Sequence, residues 1–125
     1  MAATPLSTAP GRARSGQPVK GLEAEAVPFY LAALAGQLPP VARRSAYTGL
    51  GGTYRTLGLF KQARATLENG LREFPSANEM RVFLAMVHHN LGESKVAVEG
   101  LLHVLVVTTN DPELRAYARA IEFYA

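Results

Sequence analysis

At 125 residues the chain is long enough for one domain that buries a core without staples. It has no cysteine, which removes disulfide frameworks and thiolate metal sites and suits a reducing compartment, so the cytoplasm is the expected location. The formal charge of +3 sits wholly in residues 1–20, where Arg12, Arg14 and Lys20 stand without an acid; from residue 21 onward ten basic residues balance ten acidic ones, so no nucleic-acid footprint is expected on the fold.

In chain order, residues 1–20 are rich in Ala, Pro, Gly, Ser and Thr without helical or strand period, which predicts a disordered tail. No apolar h-region marks a secretory signal, and three prolines spoil the amphipathic helix of a transit peptide. A first helix is expected at about 22–35, with Pro28 near its opening turn, where a missing N–H costs little. Gly36-Gln37-Leu38-Pro39-Pro40 is a loop, and Pro40 is placed to begin the next helix.

Residues 44–57 then carry Tyr47, Leu50, Tyr54 and Leu57 on one helical face, and residues 60–73 repeat the pattern with Phe60, Ala63, Leu67 and Leu71. Gly58 stands between them, where a chain leaving a helix needs a left-handed residue, and Pro75 stops the second helix. The next helix, 77–91, places Met80, Phe83, Leu84 and Val87 on one face; Ser76 with Glu79 three residues on reads as a capping box at its start. A further helix follows at about 93–107. The run Leu101 to Val107 within it is interrupted by His103 and too short to span a bilayer, so no membrane association is expected. Asp111-Pro112 opens a closing helix, 112–124, through Leu114, Tyr117, Ala118, Ile121 and Tyr124, expected to cover the open apolar end. That makes six helices.

The order and spacing of Leu50-Gly51, Tyr54, Gly58, Ala63, Leu67, Gly70 and Pro75 resembles the tetratricopeptide repeat, a helix–turn–helix unit of about 34 residues. Gly21, Ala26, Tyr30, Ala33 and Leu34 match Gly58, Ala63, Leu67, Gly70 and Leu71, as do Gly92, Ala97, Leu101, Val104 and Leu105. The step from Ala26 to Ala63 is 37 residues and from Ala63 to Ala97 it is 34. The resemblance implies an all-α, right-handed solenoid: the second helix of a truncated repeat at 22–35, full repeats at about 41–74 and 77–108, and a capping helix, together a domain of residues 21–125.

Longer strings point further. Glu25-Ala26-Val27-Pro28-Phe29-Tyr30, Leu50-Gly51-Gly52-Thr53-Tyr54-Arg55-Thr56-Leu57-Gly58, Glu73-Phe74-Pro75, Val82-Phe83-Leu84-Ala85-Met86, Asn90-Leu91-Gly92-Glu93 and Phe123-Tyr124-Ala125 are similar to a short bacterial family of tetratricopeptide-repeat proteins without assigned function. Members of that family carry a helix ahead of the one at 22–35, which residues 1–20 do not supply on their composition. One face of helix 22–35, marked by Leu22, Phe29 and Tyr30 with Ala26 and Ala33, is therefore expected to lack a partner, and a homodimer through it is the expectation for that face.

The residues carry no reaction. His88 and His89 are adjacent on a helix, point about 100° apart and cannot chelate one ion together; His88 takes an aromatic packing position and His103 lies in an apolar run. No carboxylate pair, phosphate loop or nucleophile elbow is present, so no catalytic residue, metal or cofactor is expected. What the resemblance implies instead is a protein-interaction scaffold whose first helices line a concave face that holds a peptide or partner helix. Carried onto this chain, that groove is lined by Ser45, Thr48, Gly52 and Arg55 from one repeat and Glu79, Val82, Met86 and His89 from the next. The lysine and asparagine with which some tetratricopeptide domains grip a C-terminal carboxylate are absent from the matching positions.

Overall fold

The computed structural model describes residues 20–122, and the described residues are helical hairpins with no strand. The helices are α1 (Lys20–Ala35), α2 (Pro40–Thr56), α3 (Phe60–Glu73), α4 (Asn78–Asn90), α5 (Ser94–Thr108), α6 (Pro112–Ala116) and α7 (Ala118–Glu122). From α2 to α5 each helix packs against the one before it, and α2 also touches α4, so the first helices of successive hairpins lie side by side. The expected all-α solenoid is the observed architecture. Residues 1–19, assigned above to a tail, and the terminal Phe123-Tyr124-Ala125 lie outside the described residues.

Close approach is carried by small residues along the stack. A Cβ on Gly49 would lie 2.6 Å from the Tyr30 ring, one on Gly51 2.5 Å from Leu67 Cδ2, and one on Gly70 2.5 Å from Met80 Sδ and 3.0 Å from Tyr47 Cβ. Hydrogen at these positions therefore lets α1 meet α2, α2 meet α3, and α3 meet α4 at backbone range. Ala63 and Ala97 are buried against the facing helices and Ala26 is half-buried. The resulting core centres on Tyr47, Ala63, Leu67, Ala77, Met80 and Val87, with Phe60, Leu71, Phe74, Phe83 and Leu84 packed around it. Gly58 and Gly92 both take positive φ, 79° and 83°, where the first helix of each hairpin ends.

One polar cluster links α2 to α3 and to the end of α1. Arg43 donates from Nε and Nη2 to the two oxygens of Glu73 at 3.0 and 2.8 Å, and from Nη1 to the Leu34 carbonyl at 3.0 Å. The Tyr47 hydroxyl donates to the same carboxylate at 2.5 Å, while its ring meets Phe74 edge-on. The hydrogen bonds from Arg43 and then Tyr47 hold the Glu73 carboxyl down at about 2.

Five expectations need correction. Pro28 is not near a helix start: α1 already begins at Lys20 and runs through Gly21, so the proline falls mid-helix and deprives the exposed Ala24 carbonyl of its ladder donor. Gly21 accordingly is helical and does not share the left-handed turn of Gly58 and Gly92. The capping box at Ser76 does not form; the cap residue is Ala77, without a side-chain bond, because Glu79 is drawn to Arg44 instead. The closing helix is two five-residue pieces, which makes seven described helices: Asp111 caps α6 by accepting from the Glu113 N–H at 2.9 Å, but at Tyr117 the N–H bonds back to Leu114, three residues away. Tyr117 is 65% exposed, so no packed face holds a continuous helix there. Nor, among the described residues, does this end close the stack. It packs on α5 through α7 yet leaves Val98, Leu101, Leu105 and Val107 exposed.

Candidate partner-binding surface

The residues that sequence reasoning assigned to a groove fall on α2 and α4, and they divide by what already occupies them. At the upper end Arg44 and Glu79 face each other across the two helices, Nε to Oε2 at 2.6 Å and Nη2 to Oε1 at 2.8 Å. These bonds hold the Glu79 carboxyl below its ordinary range. Thr48 turns its hydroxyl back to the Arg44 carbonyl of its own helix at 3.2 Å, and Gly52 lies under Phe83, whose Cε1 would be 3.7 Å from a Cβ there. Ser45 is exposed and Val82 half-buried. The paired carboxylate and guanidinium brace the stack, and their hydrogen-bonding capacity is largely spent on each other.

The lower end is open. Arg55, Met86 and His89 come together with Ser94, Ala97, Val98 and Leu101 of α5 around a hollow of about 280 Å³. Its walls are apolar, and its charged rim is Arg55, which also donates from Nε to Asn90 Oδ1 at 2.8 Å. Among the lining residues there is no acid, so the hollow offers an apolar seat beside positive potential.

Ser94, Val98 and Leu101 are contributors that sequence reasoning missed. Register equated Leu101 with Leu67, a core residue. Yet Leu67 is covered by α4 from the next hairpin, whereas no full helix follows α5 among the described residues, and Leu101 is 43% exposed. The signal available in the sequence was the apolar composition of 94–108 on more than one face.

The first-helix face divides as well. Phe29 is 78% exposed and Leu22 46%, with Leu31 also exposed, but Tyr30 packs over Gly49 on α2 and does not share their surface. Burial and then the Glu23 charge push the Tyr30 phenol up. Of the histidines, His88 is half-buried with Nδ1 2.6 Å from Glu93 Oε1, His103 sits 3.4 Å from Glu122, and His89 is exposed. Among the described residues no group of three His, Cys, Asp or Glu could hold a metal ion, and no helix is long and apolar enough to cross a membrane.

A family model described as Tetratrico peptide repeat matches residues 11–125, a span that includes all seven described helices and begins ahead of α1. No curated protein matches the chain.

Proposed function

The chain belongs to the tetratricopeptide-repeat family, whose members are in general protein–protein interaction scaffolds and not catalysts, and on that premise we propose that it is an adaptor docking a peptide or helix of a partner protein along the face shared by α2, α4 and α5. The observation that carries this reading is the hollow at Arg55, Met86, His89, Val98 and Leu101. A single large apolar side chain fits a seat of that size, and Met86 adapts its shape to what it meets. Thr48, Gly52, Glu79 and Val82 then form the floor and wall along which the rest of the segment lies. The absence of cysteine suits work in the cytoplasm.

A second reading rests on Phe29 and Leu22, whose exposure on α1 leaves an apolar strip that a second copy of the chain would cover. The two readings separate by substitution. Immobilised wild-type protein and its Met86→Glu and Phe29→Glu variants, exposed to lysate of the source cell, report on the adaptor; light scattering on the same three proteins at micromolar concentration reports on self-association. The adaptor reading requires a bound protein lost with Met86→Glu and kept with Phe29→Glu. Equal capture by wild type and Met86→Glu would overturn it.

A further inference from the structure

On the opposite side of the α4–α5 contact lies a second hollow, of about 330 Å³, that shares only Ala85 with the groove. Apolar Leu71, Leu84 and Val96 line it, and the charged or polar Arg81, Glu99 and His103 border it as well. Register shows why it is there. Thirty-four residues earlier, the position of Arg81 belongs to Tyr47, which is buried, packs on Phe74 and donates its hydroxyl to Glu73. In the later hairpin Arg81 stands for Tyr47, and Val107 stands for Glu73. A cation has replaced the phenol while the carboxylate that met it has gone.

Among the described residues the Arg81 guanidinium makes no hydrogen bond or ion pair, in contrast with those of Arg43, Arg44, Arg55 and Arg64, each of which holds a side-chain partner. His88 and His103 both have Nδ1 taken up by carboxylates, Glu93 and Glu122, leaving only Nε2 of either ring. The geometry points to this hollow as a binding site for a monocarboxylate with a short apolar body, its carboxylate on Arg81 and its body over Leu71, Leu84 and Val96. A planar guanidinium meets a carboxylate through two parallel N–H donors, which an ammonium does not offer. Glu99, which borders the same hollow, repels the anion and confines it to the Arg81 side. The carboxylate is either that of a free small acid or the C-terminus of a peptide, and both use the same chemistry.

The test is a nuclear magnetic resonance titration of the full chain with 3-phenylpropanoate and, separately, its neutral counterpart 3-phenylpropanamide. Saturable shifts are expected at the amides of Arg81, Leu84, Val96 and Gly100, with the amide about five-fold weaker or worse, as for a partly exposed ion pair. Arg81→Gln should erase the difference between the two ligands. Arg81→Tyr, which restores the residue of the earlier hairpin, should fill the hollow and abolish both titrations without loss of thermal stability. Glu99→Gln should tighten the carboxylate. Met86→Glu should change nothing, which keeps this site separate from the groove. An acetylated peptide ending in phenylalanine, with free or amidated terminus, distinguishes the two sources by which carboxylate binds more tightly. Absence of saturable shifts, equal affinity for acid and amide, or weakening by Glu99→Gln would each overturn the assignment.

Discussion

Leu67 and Leu101 hold the same register position in successive hairpins, yet Leu67 is fully buried and Leu101 is 43% exposed. The difference lies in what comes next: α4 covers α3, whereas among the described residues α5 is followed by no full helix and packs on its far side against the short α7. Leu67→Ala should therefore cost about 2–5 kcal/mol, the range for emptying a packed leucine site. Leu101→Ala should cost under about 1 kcal/mol, because solvent already reaches it. Urea unfolding of the two variants checks the contrast; equal costs would mean that α5 is covered in solution.

Gly70 and Gly100 make an analogous pair, both inside second helices. A methyl at Gly70 meets Met80 Sδ at 2.5 Å and the Tyr47 side chain at 3.0 Å, while at Gly100 it finds only Ala85 Cβ at an ordinary 3.7 Å. Gly70→Ala should destabilise by about 1–3 kcal/mol through overpacking. Gly100→Ala should stabilise by about 0.5–1 kcal/mol, because alanine loses less entropy within a helix. Opposite shifts of the melting temperature are the expected result.

Glu73 links stability to pH. Its carboxyl is lowered to about 2 from an ordinary 4.5, so the folded state binds its proton less readily than the unfolded chain does. The contribution is complete above about 4.5 and is lost as pH falls from there through about 2. Glu79, lowered by Arg44, adds to the same acid-side loss. Thermal melts between pH 6 and 2 should show a falling melting temperature, with a shallower slope for Glu73→Gln. An unchanged slope in that variant would remove Glu73 from the acid response.

Caps provide a further comparison. Ser76 makes no cap bond, so Ser76→Ala should leave stability within about 0.5 kcal/mol. Asp111 does cap α6, and Asp111→Ala should cost about 1 kcal/mol there, visible as faster amide exchange at Glu113 and Leu114.

The hairpins were legible because their determinants are local. Leu50, Ala63, Leu67 and Gly70 recur at intervals set by helical pitch, and the buried contacts at Gly51 and Gly70 fall where that recurrence placed them. Failures occurred where one hairpin acts on another or where a neighbour is lacking. Glu79 has the spacing of a capping residue, but Arg44, 35 residues away, offers a charged partner that a neutral cap cannot match. Periodicity grouped Tyr30 with Phe29 and Leu22, whereas the vacancy at Gly49 takes its ring. Val98 and Leu101 escaped notice because register describes a helix as if its successor were always present.

The proposed working face can be tested most directly by site-specific photo-crosslinking in the source cell. A p-benzoylphenylalanine at Val98 would report on the hollow beside Met86, and one at Leu31 on the exposed strip of α1. The expected result is a crosslink to a different protein from position 98 and none from position 31. Crosslinks only from position 31, or only between two copies of this chain, would contradict the assignment of the groove as the partner site.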